Sequence, residues 1–352
     1  MNHDLRPIPA LRAVVLATGL LIALALLGAC SSEAADTPAP TTVDPFLTCG
    51  AADAKPVYSA HPIGELKSMN IGCQGKEGPL VVLLHGFPDF AYGWESVAKE
   101  LSGKHIVVAP DQRGYNTTWG PDNKDVAAYK IDKLVGDIKA LVTRLTDAKD
   151  GLGKAGETII VGHDWGGAVA WTFAHKHAEL TGKLVIVNGP HPDTFIREYN
   201  NNPKQKDASS YMALFNTPGT ENFLKSNNHK ALIDAFGKAL TDAQKDVYRK
   251  LFAASDLVKM LNWYRANLDT DKGTIAASNI TIDVPTLVAW GMKDTALLPG
   301  NLDGLDKYVK TLTVQKFEKA THWVPHEQPE AVAKAIADFA AGLPIAPTAT
   351  EK

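Results

Sequence analysis

Basic residues bring no surplus to this chain of 352 residues: 36 Lys and Arg stand against 39 Asp and Glu, a formal charge of -3. A protein that holds phosphate backbones needs a cationic surface, so nucleic-acid binding is disfavoured. Cysteine is scarce, three in all. No His/Cys/Asp cluster has the spacing of metal ligands, so neither a metal nor an organic cofactor is implied. There is no internal repeat, and composition excludes a collagen, a coiled coil and a multi-span membrane protein. What is present is 45% hydrophobic and 21% charged residues. That balance describes a globular protein with a sizeable core.

The single long apolar run lies at residues 13–29, after Arg6 and Arg12, and ends in Leu27-Gly28-Ala29-Cys30. A positive start, a short apolar stretch and small residues before a break describe a signal peptide, residues 1–29. A transmembrane anchor fits less well, because the run is at the lower limit for crossing a bilayer and no positive stop follows it. Leu27-Gly28-Ala29-Cys30 also resembles the lipobox of bacterial lipoproteins. That resemblance implies cleavage before Cys30, lipid on its thiol and an exported domain held at a membrane of the cell envelope. Residues 30–45 (SSEAADTPAPTTVDP after Cys30) have little to bury and read as a flexible tether. In an oxidising compartment the two remaining cysteines, Cys49 and Cys73, are expected to pair.

Continuous apolar runs at 80–84, 106–109, 158–161, 184–187 and 286–289 suit parallel strands covered on both faces, with a last strand at 312–317. Helical patterns near 91–101, 129–146, 168–177 and 329–341 alternate with them. The alternation predicts an α/β fold, a mostly parallel sheet flanked by helices. One interval breaks the rhythm: residues 191–282 hold only polar and helical sequence. That is too long for a loop inside a compact domain, and it predicts a helical cap inserted between core segments 46–190 and 283–345, with a tail at 346–352.

Gly162-His163-Asp164-Trp165-Gly166-Gly167 runs from a buried strand into a helix. Small residues two before and two after a central polar residue are the mark of a nucleophile elbow, where a sharp turn excludes larger side chains. The apex here is Asp164, at a helix N-terminus that favours a carboxylate. A serine attacking saturated carbon would leave an ether, which water cannot easily cleave. An aspartate leaves an ester, and water can then attack the protein's own carbonyl carbon. The residue type therefore points to epoxides or carbon–halogen bonds rather than to esters.

Taken with His85-Gly86-Phe87-Pro88-Asp89-Phe90 and Asp111-Gln112-Arg113-Gly114-Tyr115, the elbow resembles the α/β-hydrolase family from Leu66 to Ala341. Within it, the chain is similar to the epoxide hydrolases and their dehalogenase relatives. The resemblance implies His322 in Lys319-Ala320-Thr321-His322-Trp323 as the base, with His326 as an alternative. It implies Asp294 in Trp290-Gly291-Met292-Lys293-Asp294 as the acid that orients it, with Asp193 as runner-up. The backbone amides of Phe87 and Trp165 become the oxyanion donors. His85, His163 and His191 read as hydrogen-bonded structural residues. The segment around Tyr211, with Pro218-Gly219 following, and Leu261-Asn262-Trp263-Tyr264-Arg265 resemble the two cap segments that supply tyrosines to the epoxide oxygen.

These readings imply an enzyme that opens small apolar epoxides to vicinal diols through an ester on Asp164. The alternatives are a haloalkane or haloacid dehalogenase with the same triad, a non-catalytic surface binding protein and an acyl hydrolase. Phe87 occupies a place where a dehalogenase would be expected to carry an asparagine for halide.

Overall fold

The structure is a computed structural model that describes residues 46–268 and 278–345. The expected signal peptide, the tether with Cys30 and the tail at 346–352 lie outside the described residues. Eight strands form one sheet: β1 (Val57–Ile63), β2 (Leu66–Gln74), β3 (Leu80–Leu84), β4 (Ile106–Pro110), β5 (Ile159–His163), β6 (Lys183–Val187), β7 (Thr286–Gly291) and β8 (Leu312–Phe317). Their order is β1-β2-β4-β3-β5-β6-β7-β8. From β4 to β8 every pairing is parallel, whereas β1 and β2 add an antiparallel edge.

The uninterrupted apolar strands follow from burial on two sides. Val82, Leu84, Ile160 and Ile186 pack into one core cluster, while their neighbours Val81, Leu83, Val161 and Val185 pack into another. The first cluster is covered by α2 (Ile131–Leu145) and α3 (Trp165–Lys176), the second by α1 (Glu95–Leu101) and the C-terminal helix. Alternate side chains of a strand point to opposite faces, so a strand with two dry faces has no polar position to spare.

Between β6 and β7 the chain forms α4 (Pro192–Asn201), α5 (Pro203–Ala208), α6 (Tyr211–Asn216), α7 (Thr220–Ala235), α8 (Asp242–Ala254) and α9 (Leu257–Asn267). After β8 come α10 (Val324–Glu327) and α11 (Pro329–Ala340). Among the described residues no helix is long and apolar enough to cross a membrane. Cys49 and Cys73 form a disulfide that ties the segment before β1 to β2.

Two features depart from the sequence reading. The β1–β2 hairpin was not expected, because β1 alternates exposed and half-buried residues at the sheet edge and carries no apolar run. The helix after the elbow begins at Trp165 rather than near 168, directly at the turn.

Candidate active site

β5 ends at His163, and Asp164 caps α3 with φ 51° and ψ -119°. This left-handed backbone is uncommon for a residue with a side chain and marks a strained position. The surrounding glycines are a steric requirement. A Cβ on Gly162 would lie 2.3 Å from the Gly166 carbonyl oxygen, and one on Gly166 would lie 2.2 Å from that of Leu84. A Cβ on Gly86 would run into the Asp164 side chain at 2.4 Å. Only glycine lets the β3 loop, the β5 end and the first turn of α3 meet.

The turn presents the Asp164 carboxylate to two different sets of partners. The Phe87 amide donates to Oδ1 at 2.8 Å, and the nearby Trp165 amide adds its pull on the carboxylate charge. The other oxygen, Oδ2, lies 3.8 Å from His322 Nε2. Burial pushes the Asp164 carboxyl above the ordinary carboxylate range, against the His322 charge and the two amides that favour ionisation.

His322 follows β8, and its Nδ1 is 2.8 Å from Asp294 Oδ2, after β7. Asp294 also accepts from the Ala296 and Leu297 amides at 2.8 and 2.9 Å. Burial opposes ionisation of Asp294, but the His322 charge and these donors outweigh it and hold the carboxyl below its usual value. Burial likewise lowers the His322 imidazole, yet the Asp294 charge and hydrogen bond, with the Asp164 charge behind them, raise it to about 9.

Tyr211 of α6 and Tyr264 of α9 line the same cavity as Asp164 and Trp165. Their ring centroids are 6.4 Å apart, and Tyr264 packs edge-on against Trp165 at 5.1 Å. Burial and then the Asp164 charge push both phenols well above their ordinary value, so they stay protonated.

The alternatives fall elsewhere. Asp193 is occupied by the Ser278, Asn279 and Ile280 amides and the Ser278 hydroxyl. His326 Nε2 is 2.8 Å from Asp89 Oδ2, not at Asp164. His163 Nε2 faces the His322 carbonyl at 2.9 Å. Against a carbonyl it must donate, and burial lowers the ring to about 3, so His163 is a neutral brace beneath His322. His85 accepts from the Gln112 amide at 3.0 Å, and His191 caps α4.

Asn188 was missed by sequence reasoning. It follows β6 with φ 38° and is fully buried. Its amide donates to Asp294 Oδ2 at 2.8 Å, while its carbonyl accepts from the Gly291 amide at 2.8 Å. It thus steadies the very oxygen that receives His322 Nδ1. The signal that could have found it is its place at the carboxyl end of a parallel strand, where such sheets build their sites.

The family described as alpha/beta hydrolase fold matches residues 79–329. The chain belongs to that family, and it is a hydrolase. It is similar to the AB hydrolase superfamily protein YfhM of Bacillus subtilis, 37% identical over 281 residues that cover 77% of this chain and 94% of the relative. Epoxide hydrolase 4 of Homo sapiens is 32% identical over 283 residues, 76% of this chain and 73% of that protein. The crystal structure of the Bacillus megaterium epoxide hydrolase in complex with an inhibitor has a TM-score of 0.72 at 31% identity, covering 80% of this chain and 99% of that one. Within the α/β-hydrolases, then, this chain is epoxide hydrolase-like.

Proposed function

We propose that the protein opens epoxides to vicinal diols through a covalent ester on Asp164. The observation that carries the reading is the division of labour in that carboxylate: the Phe87 amide occupies Oδ1, Oδ2 lies toward His322, and Asp164 lines the same cavity as the two tyrosines. Oδ2 attacks a ring carbon, the C–O bond breaks, and Tyr211 or Tyr264 gives its proton to the departing oxygen. Phenols held neutral by burial are suited to that donation. The alkylated Asp164 has lost its charge, which removes one of the influences keeping His322 protonated. The imidazolium gives up its proton as the phenolate regains one, and the neutral imidazole then takes a proton from water, which attacks Asp164 Cγ. Charge develops on Oδ1, where the Phe87 amide already waits; the Cγ–Oδ2 bond then breaks, and the diol leaves with Oδ2 and the proton remaining on the added oxygen. Asp294 stabilises the imidazolium.

The test is a His322→Gln variant mixed with styrene oxide. Hydrolysis should stall, and mass spectrometry should find the adduct on the peptide containing Asp164. No adduct with styrene oxide or other epoxides, or adduct and halide release with haloalkanes alone, would sink this reading.

The same proposal extends to location: an exported domain held to a membrane by lipid on Cys30. It is supported by the apolar run before that cysteine and by the Cys49–Cys73 disulfide, which suits an oxidising compartment. Expression with a labelled fatty acid should label the wild type and leave a Cys30→Ser variant unlabelled.

A further inference from the structure

The cavity that reaches Asp164 continues well beyond it. Its volume is about 410 Å³, and from α3 its wall takes Trp165, Ala168, Thr172, His175 and Lys176. Positions three and four apart stack on one side of a helix, so these residues form a single stripe along α3. Trp165 opens the helix and Lys176 closes it. At 1.5 Å of rise per residue the stripe is about 16 Å long. Phe195 and Ile196 of α4 and Leu268 just past α9 supply apolar wall elsewhere.

The charged groups of this channel stand at its two ends. Asp164 and the tyrosines mark one end, and Lys176, 2.7 Å from Asp132, marks the other. The far rim is open to water, with the side chains of Lys176 and Asp132 42% and 70% exposed. Its groups already have partners: Lys176 has Asp132, His175 has Thr281, and the Asn267 amide donates to the carbonyls of Tyr129 and Trp263. The rim therefore asks for a terminus that can face solvent rather than for a particular charge. Between the ends the Thr172 hydroxyl already donates to the Ala168 carbonyl, so a polar substituent would lose water for little return.

Resting on the reading of Asp164 as a nucleophile toward epoxides, we propose that the substrates are long, unbranched epoxides. The ring sits near one end of the molecule at Asp164, and the chain lies along α3 and emerges beside Lys176 and Asp132. An extended chain covers roughly 1.2 Å per bond, taking about 3.5 Å per three-bond residue. Roughly a dozen carbons therefore bridge the 16 Å helix stripe. Thr172 is buried midway along the stripe, where added bulk would close the passage.

The experiment measures kcat/KM of the full chain for 1,2-epoxybutane, 1,2-epoxyoctane, 1,2-epoxydodecane and 1,2-epoxyhexadecane, for wild type and Thr172→Phe. Burial of each methylene should raise kcat/KM up to about fourfold until the chain fills the channel, after which the gain stops. In Thr172→Phe the ratio of the dodecane to the butane epoxide should fall by about tenfold or more, equivalent to losing about two methylenes of contact. Diol formation with no gain from butane to dodecane overturns the channel, as does an unchanged ratio in a folded Thr172→Phe. Should that variant not fold, the wild-type series decides alone. Absence of diol from every member, together with absence of adduct on Asp164 in His322→Gln, overturns the epoxide reading itself.

Discussion

At the scale of single residues, the proposed chemistry depends on how charge is shared among Asp164, His322 and Asp294. The Asp164 charge helps raise His322 to about 9, so in the resting enzyme the imidazole is protonated at neutral pH. A group with a raised value keeps its proton below that value and loses it as pH climbs through it. Replacing Asp164 with Asn removes one of the charges that favour the imidazolium. The His322 titration, followed by NMR of the imidazole, should therefore move down from about 9 toward the ordinary histidine value. An unchanged titration would mean that alkylation cannot switch the base on. Asn188 acts one step further back, on Asp294 Oδ2. Asn188→Gly keeps a backbone that accepts φ 38° while deleting the amide. Loss of a hydrogen bond to a charged group should slow hydrolysis of the proposed ester by about tenfold. Because Asp164 itself is untouched, alkylation should continue, so kcat and KM should fall together with kcat/KM held. An equal loss in both kcat and kcat/KM would assign Asn188 to general structure instead.

At the scale of elements, the elbow joins β5 to α3 by close backbone contact. A methyl group at Gly162 meets the Gly166 carbonyl at 2.3 Å and the Ala170 Cβ at 2.8 Å. Neither can retreat, because both belong to the helix that carries Asp164. Gly162→Ala should cost about 3 kcal/mol of stability in urea unfolding, at the upper end of what overpacking usually exacts. The same rigidity explains why the elbow was legible in the sequence: sterics dictate residue type there, so glycines around a polar apex carry their own meaning. The parallel strands were legible for a related reason, since burial on both faces leaves apolar runs such as Leu80–Leu84. β1 lies at the edge with exposed and half-buried residues, so nothing in its composition forces a strand. Asn188 was illegible because its role exists only once β6 and β7 lie side by side in register. Tyr211 and Tyr264 stand 53 positions apart in the chain (264 less 211), and only the packing of α6 on α9 brings their rings within 6.4 Å. Resemblance to known cap segments, not local pattern, pointed to that pair.

At the scale of the whole molecule, the helices inserted after β6 must stay seated on the sheet if the tyrosines are to face Asp164. One buried contact that holds them uses charge. Tyr248 of α8 donates its hydroxyl to Asp89 Oδ1, while Asp89 Oδ2 faces His326 Nε2 at 2.8 Å. Burial alone would push the Asp89 carboxyl up, but the His326 charge and hydrogen bond, with those from Tyr248 and the Phe90 amide, carry it below its ordinary value. A carboxylate with a depressed value stabilises the fold above its unfolded value, near 4, and that contribution drains away as pH falls through the native one. Tyr248→Phe removes one donor from a carboxylate buried away from solvent. The variant should lose about 2 kcal/mol at neutral pH and should begin to unfold at a higher pH on acidification. Because Tyr248 belongs to the inserted helices and Asp89 to the loop after β3, the loss should also appear locally, as faster amide hydrogen exchange through α8 than through α3. If exchange in α8 were unchanged and stability fell by less than about 0.5 kcal/mol, the seating of those helices would rest on apolar packing such as Phe236 against Trp323, whose rings stack at 4.1 Å, and not on the buried charge.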